Sequence, residues 1–219
     1  MYYFPSRVVA GEMLAKELVP KYRFEDCAIV ALSDGGVMVG AQIAVKLHCV
    51  LTMLLTAPIF LPQESEVLAE IDQQGTVTYN DMLSTGELEE IKADYFSYIE
   101  QQKLEKKFEM NRLLGAGGLI SEDLLRERNV ILVSDGFNNG LSLEAAADFL
   151  KPIHIKRLIV ATPFATVPAV DRMHVLADEI YCINVMEELI SIDHYYDTQD
   201  VPSHDQVIKT IEQIILNWK

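Results

Sequence analysis

Apolar runs at Cys27–Leu32, Val50–Leu55, Asn129–Val133, Leu158–Thr162 and Glu179–Ile183 alternate with helix-patterned stretches along the chain. In 219 residues that alternation predicts one α/β domain, a parallel sheet covered on both faces by helices. Half of the residues are hydrophobic and 23% are charged, which gives enough apolar surface for a core and excludes disorder. The opening helix is expected over Arg7–Tyr22, with Val8, Val9, Met13, Leu14 and Leu18 on one side. After the first apolar run, the glycines of Ser33-Asp34-Gly35-Gly36 turn the chain into a helix reaching about Leu47. Such a turn leaves backbone N–H groups at the helix start, free to bind an anion.

The segment from about 56 to 120 breaks the alternation and reads as an insertion in a single domain spanning 1–219. Glu66–Ile71 and Thr76–Tyr79 are β-rich and flank Asp72-Gln73-Gln74-Gly75, predicting a hairpin that projects from the main sheet. Ser84-Thr85-Gly86-Glu87 fits a capping box, in which the serine accepts from the third helical N–H and the glutamate reaches back. It opens a long helix with Leu88, Ile91, Tyr95, Tyr98 and Ile99 along one face, expected to end near Leu114 at Gly115-Ala116-Gly117-Gly118. A C-terminal segment from about 185 to 219 closes on a helix announced by Ser203-His204-Asp205-Gln206. Its stripe of Val207, Ile208, Ile211, Ile215 and Trp218 reads as a packing face.

Chemistry points first to Asn129–Leu150, where a buried strand runs into a glycine-flanked turn that opens onto a helix. Asp135 falls at the C-terminal end of that strand, where ligands bind in open α/β sheets. From Gly136 through Phe137, Asn138, Asn139, Gly140 and Leu141 to Ser142, backbone N–H groups could converge on a phosphate, aided by the helix dipole. Taken alone this pattern is weak, because most strand-to-helix turns bind nothing.

These residues resemble the type I phosphoribosyltransferase family. Its corresponding stretch is an apolar strand, two acidic residues, three variable residues and Thr-Gly-x-Thr; here it reads Ser134-Asp135, Gly136-Phe137-Asn138, Asn139-Gly140-Leu141-Ser142. Ala31-Leu32-Ser33-Asp34-Gly35-Gly36-Val37 is similar to the family's pyrophosphate loop, Leu-Pro-Arg-Gly-Gly-Val in one bacterial branch. The Phe4–Gly11 opening, the hairpin, the inserted helix and Tyr195-Tyr196-Asp197 follow that branch in order. The resemblance implies a site for phosphoribosyl pyrophosphate (PRPP): Ser134 and Asp135 on the ribose hydroxyls, the 136–142 turn on the 5′-phosphate, and Ser33, Asp34, Gly35 and Gly36 on the pyrophosphate. It further implies Mg²⁺ if the chain is active, reached through Asp34 or Asp135, a base-recognising hood that includes Tyr195 or Tyr196, and pairing of two copies.

The departures fall on the anion-binding side. Ser134 replaces one acid, Asn139 the first threonine, and Asp34 stands where the similar branch has arginine. From Leu47 through Ile91 there is no lysine or arginine. Either Asp34 caps the following helix, or the pyrophosphate chemistry has been relaxed. The favoured expectation is a phosphoribosyltransferase-fold protein that binds a nucleotide or sugar phosphate with weak or no transfer. The alternatives are an active Mg²⁺-dependent transferase, and an assembly module whose old site is closed by Phe137 and Phe60.

Other chemistries find less support. Eighteen basic against thirty-three acidic residues give a net charge of −15, which disfavours nucleic acid and anionic membranes. The opening residues form neither a signal peptide nor a spanning run, so a cytoplasmic protein is expected. Cys27, Cys49 and Cys182 are scattered in apolar stretches, as reduced buried thiols are. The histidines at 48, 154, 174, 194 and 204 show no ligand spacing, and no direct metal-ligand motif occurs.

Overall fold

A computed structural model describes residues 3–64, 66–114 and 120–216. The main sheet is parallel, with β1 (Cys27–Ala31), β2 (Val50–Met53), β6 (Asn129–Val133), β7 (Arg157–Thr166) and β8 (Glu179–Met186) in the order β2-β1-β6-β7-β8. Strands β1 and β6 are buried at every position, as central strands covered on both faces must be. On one face α1 (Arg7–Tyr22) and α2 (Asp34–Leu47) pack Leu14, Leu18, Ile43 and Leu47 against Ile29, Ile131 and Ile159. On the other, α5 (Leu141–Leu150) and α6 (Val167–Leu176) pack Leu143, Ala146 and Met173 against Val30, Leu132 and Val160. Among the described residues no helix is long and apolar enough to cross a membrane.

Several expected boundaries shift. In α1 the buried face is Arg7, Ala10, Gly11, Leu14, Ala15 and Leu18, while Val8, Val9 and Met13 are only half-buried. A charged residue at the head of the buried stripe is invisible to a hydrophobic pattern. In α7 (His204–Leu216) the packing face is Val207, Ile211 and Ile214, and Ile208 is exposed; Trp218 and the Gly115–Gly118 stop lie outside the described residues.

The insertion carries a third strand. Thr56–Phe60 (β3) pairs antiparallel with Val67–Asp72 (β4), which pairs with Val77–Tyr79 (β5). Pro58 is tolerated because β3 is an edge strand. The predicted turn forms: Asp72 Oδ1 accepts from the N–H groups of Gln74, Gly75 and Thr76 at 2.9 Å each, and Gly75 has φ +96°. Rather than projecting freely, this sheet rests on α5, where the Thr78 hydroxyl donates to Asp148 at 2.9 Å. The Ser84 capping box is present, but the helix it opens, α3 (Thr85–Asp94), ends at Tyr95 (φ −108°, ψ 19°), and α4 (Phe96–Leu114) starts afresh.

Candidate functional site

The turns after β1 and β6 lie side by side at the C-terminal ends of adjacent strands. Ser33, not Asp34, caps α2, its Oγ accepting from Gly36 N–H at 2.8 Å. Asp34 is therefore the first helical residue. Burial pushes its carboxyl up, while His204, whose Nδ1 is 3.7 Å away, pulls it down. The other ring nitrogen of His204 lies 2.8 Å from the Leu113 carbonyl, so this histidine ties the turn to the inserted helix.

Asp135 is 4% exposed, and both its oxygens are engaged. Arg7 Nε donates to Oδ2 at 2.8 Å, and the Ser33 hydroxyl donates to Oδ1 at 2.6 Å. The Arg7 guanidinium, 1% exposed, also reaches Asp193 and, at 3.0 Å, Asp200, whose Oδ2 accepts the Arg7 backbone N–H. Burial opposes the charge on Arg7, but the three carboxylates more than offset it and hold its pKa above the ordinary arginine value. The node is crowded. A Cβ on Gly35 would stand 2.0 Å from Asp135 Oδ2 and 2.6 Å from Arg7 Nε, so only glycine lets the two turns meet.

Tyr195 and Tyr196 are 1% and 5% exposed, so neither ring offers a face for a base to stack on. Tyr196 instead donates its hydroxyl to the Asp135 carbonyl at 2.6 Å and lies under the Arg7 guanidinium, 4.3 Å from its carbon. Burial pushes its phenol well up, and the Asp135 charge adds to the shift.

Along the 134–142 turn the groups divide. Ser134 is buried, its hydroxyl donating to the Gly136 carbonyl at 2.9 Å. Gly136 is held against Phe164. Phe137 is buried in the core below α5, with its N–H given to the Phe164 carbonyl and its carbonyl taken by Thr166 N–H. Neither group is available to a phosphate. Asn138 is exposed, its carbonyl accepting from the Thr166 hydroxyl. The Asn139 side chain accepts the Leu141 N–H at 3.0 Å, satisfying internally one of the donors an anion would use. Gly140 has φ +74°, and a Cβ there would press at 3.2 Å on Ala169 and Arg172. Beyond it, the first-turn N–H groups of Ser142 and Leu143 have no carbonyl partner within their own helix.

Arg172 of α6 closes the far end of the turn. It donates to the Asn139 carbonyl, to Asp81, and to Asn80 Oδ1 at 3.1 Å, with Glu144 Oε2 3.7 Å from its Nε. Sequence reading missed Arg7, Asp200, Arg172 and the role of His204, because their partners are distant in the chain. The Phe4–Gly11 opening was the available hint for Arg7. Phe60, expected to fill a closed site, is 38% exposed at the end of β3.

The two carboxylates expected to reach Mg²⁺ are each engaged within the protein, Asp135 by Arg7 and Ser33 and Asp34 by His204. Among the described residues no group of three or more His, Cys, Asp and Glu side chains is placed to hold a metal.

A parallel sheet whose strand ends carry these two turns is the arrangement of phosphoribosyl transferases, and the chain belongs to that family: the phosphoribosyl transferase domain model matches residues 5–206. The Mycobacterium tuberculosis (strain ATCC 25618 / H37Rv) protein named "Putative phosphoribosyl transferase Rv0571c" is 23% identical over 218 residues, covering 97% of this chain and 47% of the relative. A second such protein, MT0597 of strain CDC 1551 / Oshkosh, matches over the same lengths. The chain thus spans about half the length of the curated relatives it matches. The crystal structure of TT1426 from Thermus thermophilus superposes with a TM-score of 0.71 at 23% identity, over 100% of this chain and 99% of that one. The AQ2163 protein from Aquifex aeolicus gives 0.50 at 12% identity, over 84% and 76%. These structural likenesses establish the fold.

Proposed function

We propose that this member of the family binds a small phosphomonoester, a sugar phosphate or nucleotide, at the 136–142 turn and transfers phosphoribosyl groups weakly or not at all. The observation that carries this reading is the state of Asp135. The family resemblance assigns it to the ribose hydroxyls, yet it is buried with Arg7 on one oxygen and Ser33 on the other. Turning it toward a ribose would break both of these bonds, although Arg7 would keep Asp193 and Asp200. Asp34 at the pyrophosphate turn and the absence of lysine and arginine from Leu47 through Ile91 leave that stretch without a cation to stabilise a departing pyrophosphate. Catalysis of this kind rests on charge stabilisation, and one lost donor costs roughly 2.7–4 kcal/mol.

The phosphate side keeps more of its equipment: Gly140 in the left-handed conformation, and the first-turn amides of α5 after it. The net charge of −15 disfavours nucleic acid as the ligand. The test is calorimetric titration with ribose 5-phosphate, nucleoside monophosphates, and PRPP with Mg²⁺. Monophosphate binding without preference for PRPP is the expected result. Tight Mg²⁺-dependent PRPP binding, with pyrophosphate released when bases are supplied, would establish an active transferase, and no binding at all would point to a structural role.

A further inference from the structure

Arg172 contacts three separate parts of the protein through one planar group. Its Nη1 holds the Asn139 carbonyl in the turn, its Nη2 holds Asp81 and, at 3.1 Å, Asn80, and its Nε faces Glu144 of α5 at 3.7 Å. Asn80 is itself built into the inserted sheet. Its N–H donates to the Leu68 carbonyl at 2.9 Å, its Nδ2 to the Val67 carbonyl at 3.1 Å, and its Oδ1 accepts Met82 N–H at 3.2 Å. A movement of the turn is thereby transmitted to the exit of β5, because a guanidinium fork satisfies both sets of acceptors only at one relative position.

We infer that Arg172 is the positioning residue of the turn, and that it couples the inserted sheet to it, so that an anion in the turn and a docked inserted sheet stabilise each other. Holding the Asn139 carbonyl at Arg172 keeps that oxygen, which would repel an anion, tied to a cation on the far side of the turn. Thermodynamic linkage makes the effect reciprocal: whatever fixes the turn also fixes the segment at Asn80-Asp81, and the reverse. The anion half of the inference rests on the proposed function; the mechanical half does not.

Hydrogen exchange of the whole chain, with and without saturating ribose 5-phosphate, tests both. In the wild type, the ligand slows exchange in 139–143 and in 77–82 together. In Arg172→Ala, protection stays confined to 139–143, and affinity falls about tenfold, as loss of a charge-assisted bond predicts. Arg172→Lys keeps the charge but not the fork, and behaves as the alanine variant does. A ligand that protects 139–143 in the wild type without touching 77–82, or that protects both in Arg172→Ala, overturns the coupling. Failure of ribose 5-phosphate and the other phosphates to bind sinks the proposed function instead. The ligand-free proteins then decide: Arg172→Ala raises exchange in both segments while 129–133 stays as in wild type, and unchanged exchange in either segment overturns the inference. If Arg172→Ala does not fold, Asp81→Asn serves in its place, with faster exchange at 77–82 expected and unchanged exchange overturning the link.

Discussion

The main sheet and the inserted sheet each bury a carboxylate, and they treat it in opposite ways. Asp135 is matched by Arg7 on one oxygen and a serine hydroxyl on the other. Glu70 of β4 is 8% exposed, faces α5 beside Thr78, and has Oε2 without a hydrogen-bond partner. Burial pushes its carboxyl up to about 7, only partly relieved by the Thr56 hydroxyl. The neighbouring Thr78 hydroxyl is given to Asp148 of α5, which pairs with Lys151 just past the end of that helix. A matched buried ion locks a structure, whereas an unmatched one makes docking depend on conditions. Docking of the inserted sheet on α5 is therefore expected to depend on pH, and that of the core strands much less.

The largest expected effect breaks the matched side. Arg7→Ala leaves Asp135 buried without its cation and destabilises the fold by about 3–5 kcal/mol, read as a lower urea midpoint at neutral pH. Next comes the unmatched side. Glu70 titrates higher in the folded chain than its ordinary 4.5, so the folded state holds the extra proton. Stability is then full below about 4.5, falls as pH rises toward 7, and is flat above it. The contribution is on the order of 3 kcal/mol. Glu70→Gln should remove that slope between about pH 4.5 and 7 in urea titrations; an unchanged slope would place its origin elsewhere.

Gly35→Ala sharpens the picture of crowding, because its methyl meets the Asp135 carboxylate. Overpacking of this kind costs about 1–3 kcal/mol, visible as a lower thermal midpoint. The smallest effect belongs to Thr78→Val, which removes the hydroxyl bonded to Asp148. A loss near 1 kcal/mol is expected, appearing as faster exchange at 77–79 while 129–133 keeps its protection.

Much of the fold was legible because buried strands announce themselves as apolar runs, and the hairpin because Asp72 and Gly75 suit the turn they make. The third inserted strand was not, since Thr56–Phe60 is short and carries Pro58. Nor was the break at Tyr95, because the apolar spacing of α3 continues into α4. Of the site, Asp135 could be found from its place at a strand end. Its partner could not, because Arg7 lies 128 residues away and pairing at that distance leaves no local pattern. From sequence Asp34 could cap α2, whereas Ser33 is the cap: both are good capping residues, and only geometry selects between neighbours.

The separations within the Arg7 node carry a consequence for how the molecule is made. Its three carboxylate partners follow it by 128, 186 and 193 positions. On a ribosome, α1 emerges long before any of them, and the Asp200 contact waits for the segment that follows β8 to be synthesised. Contacts of such range form slowly, so the node is expected to close late in biosynthesis. Until then Arg7 stays hydrated, and its burial at the head of α1 waits for the last third of the chain.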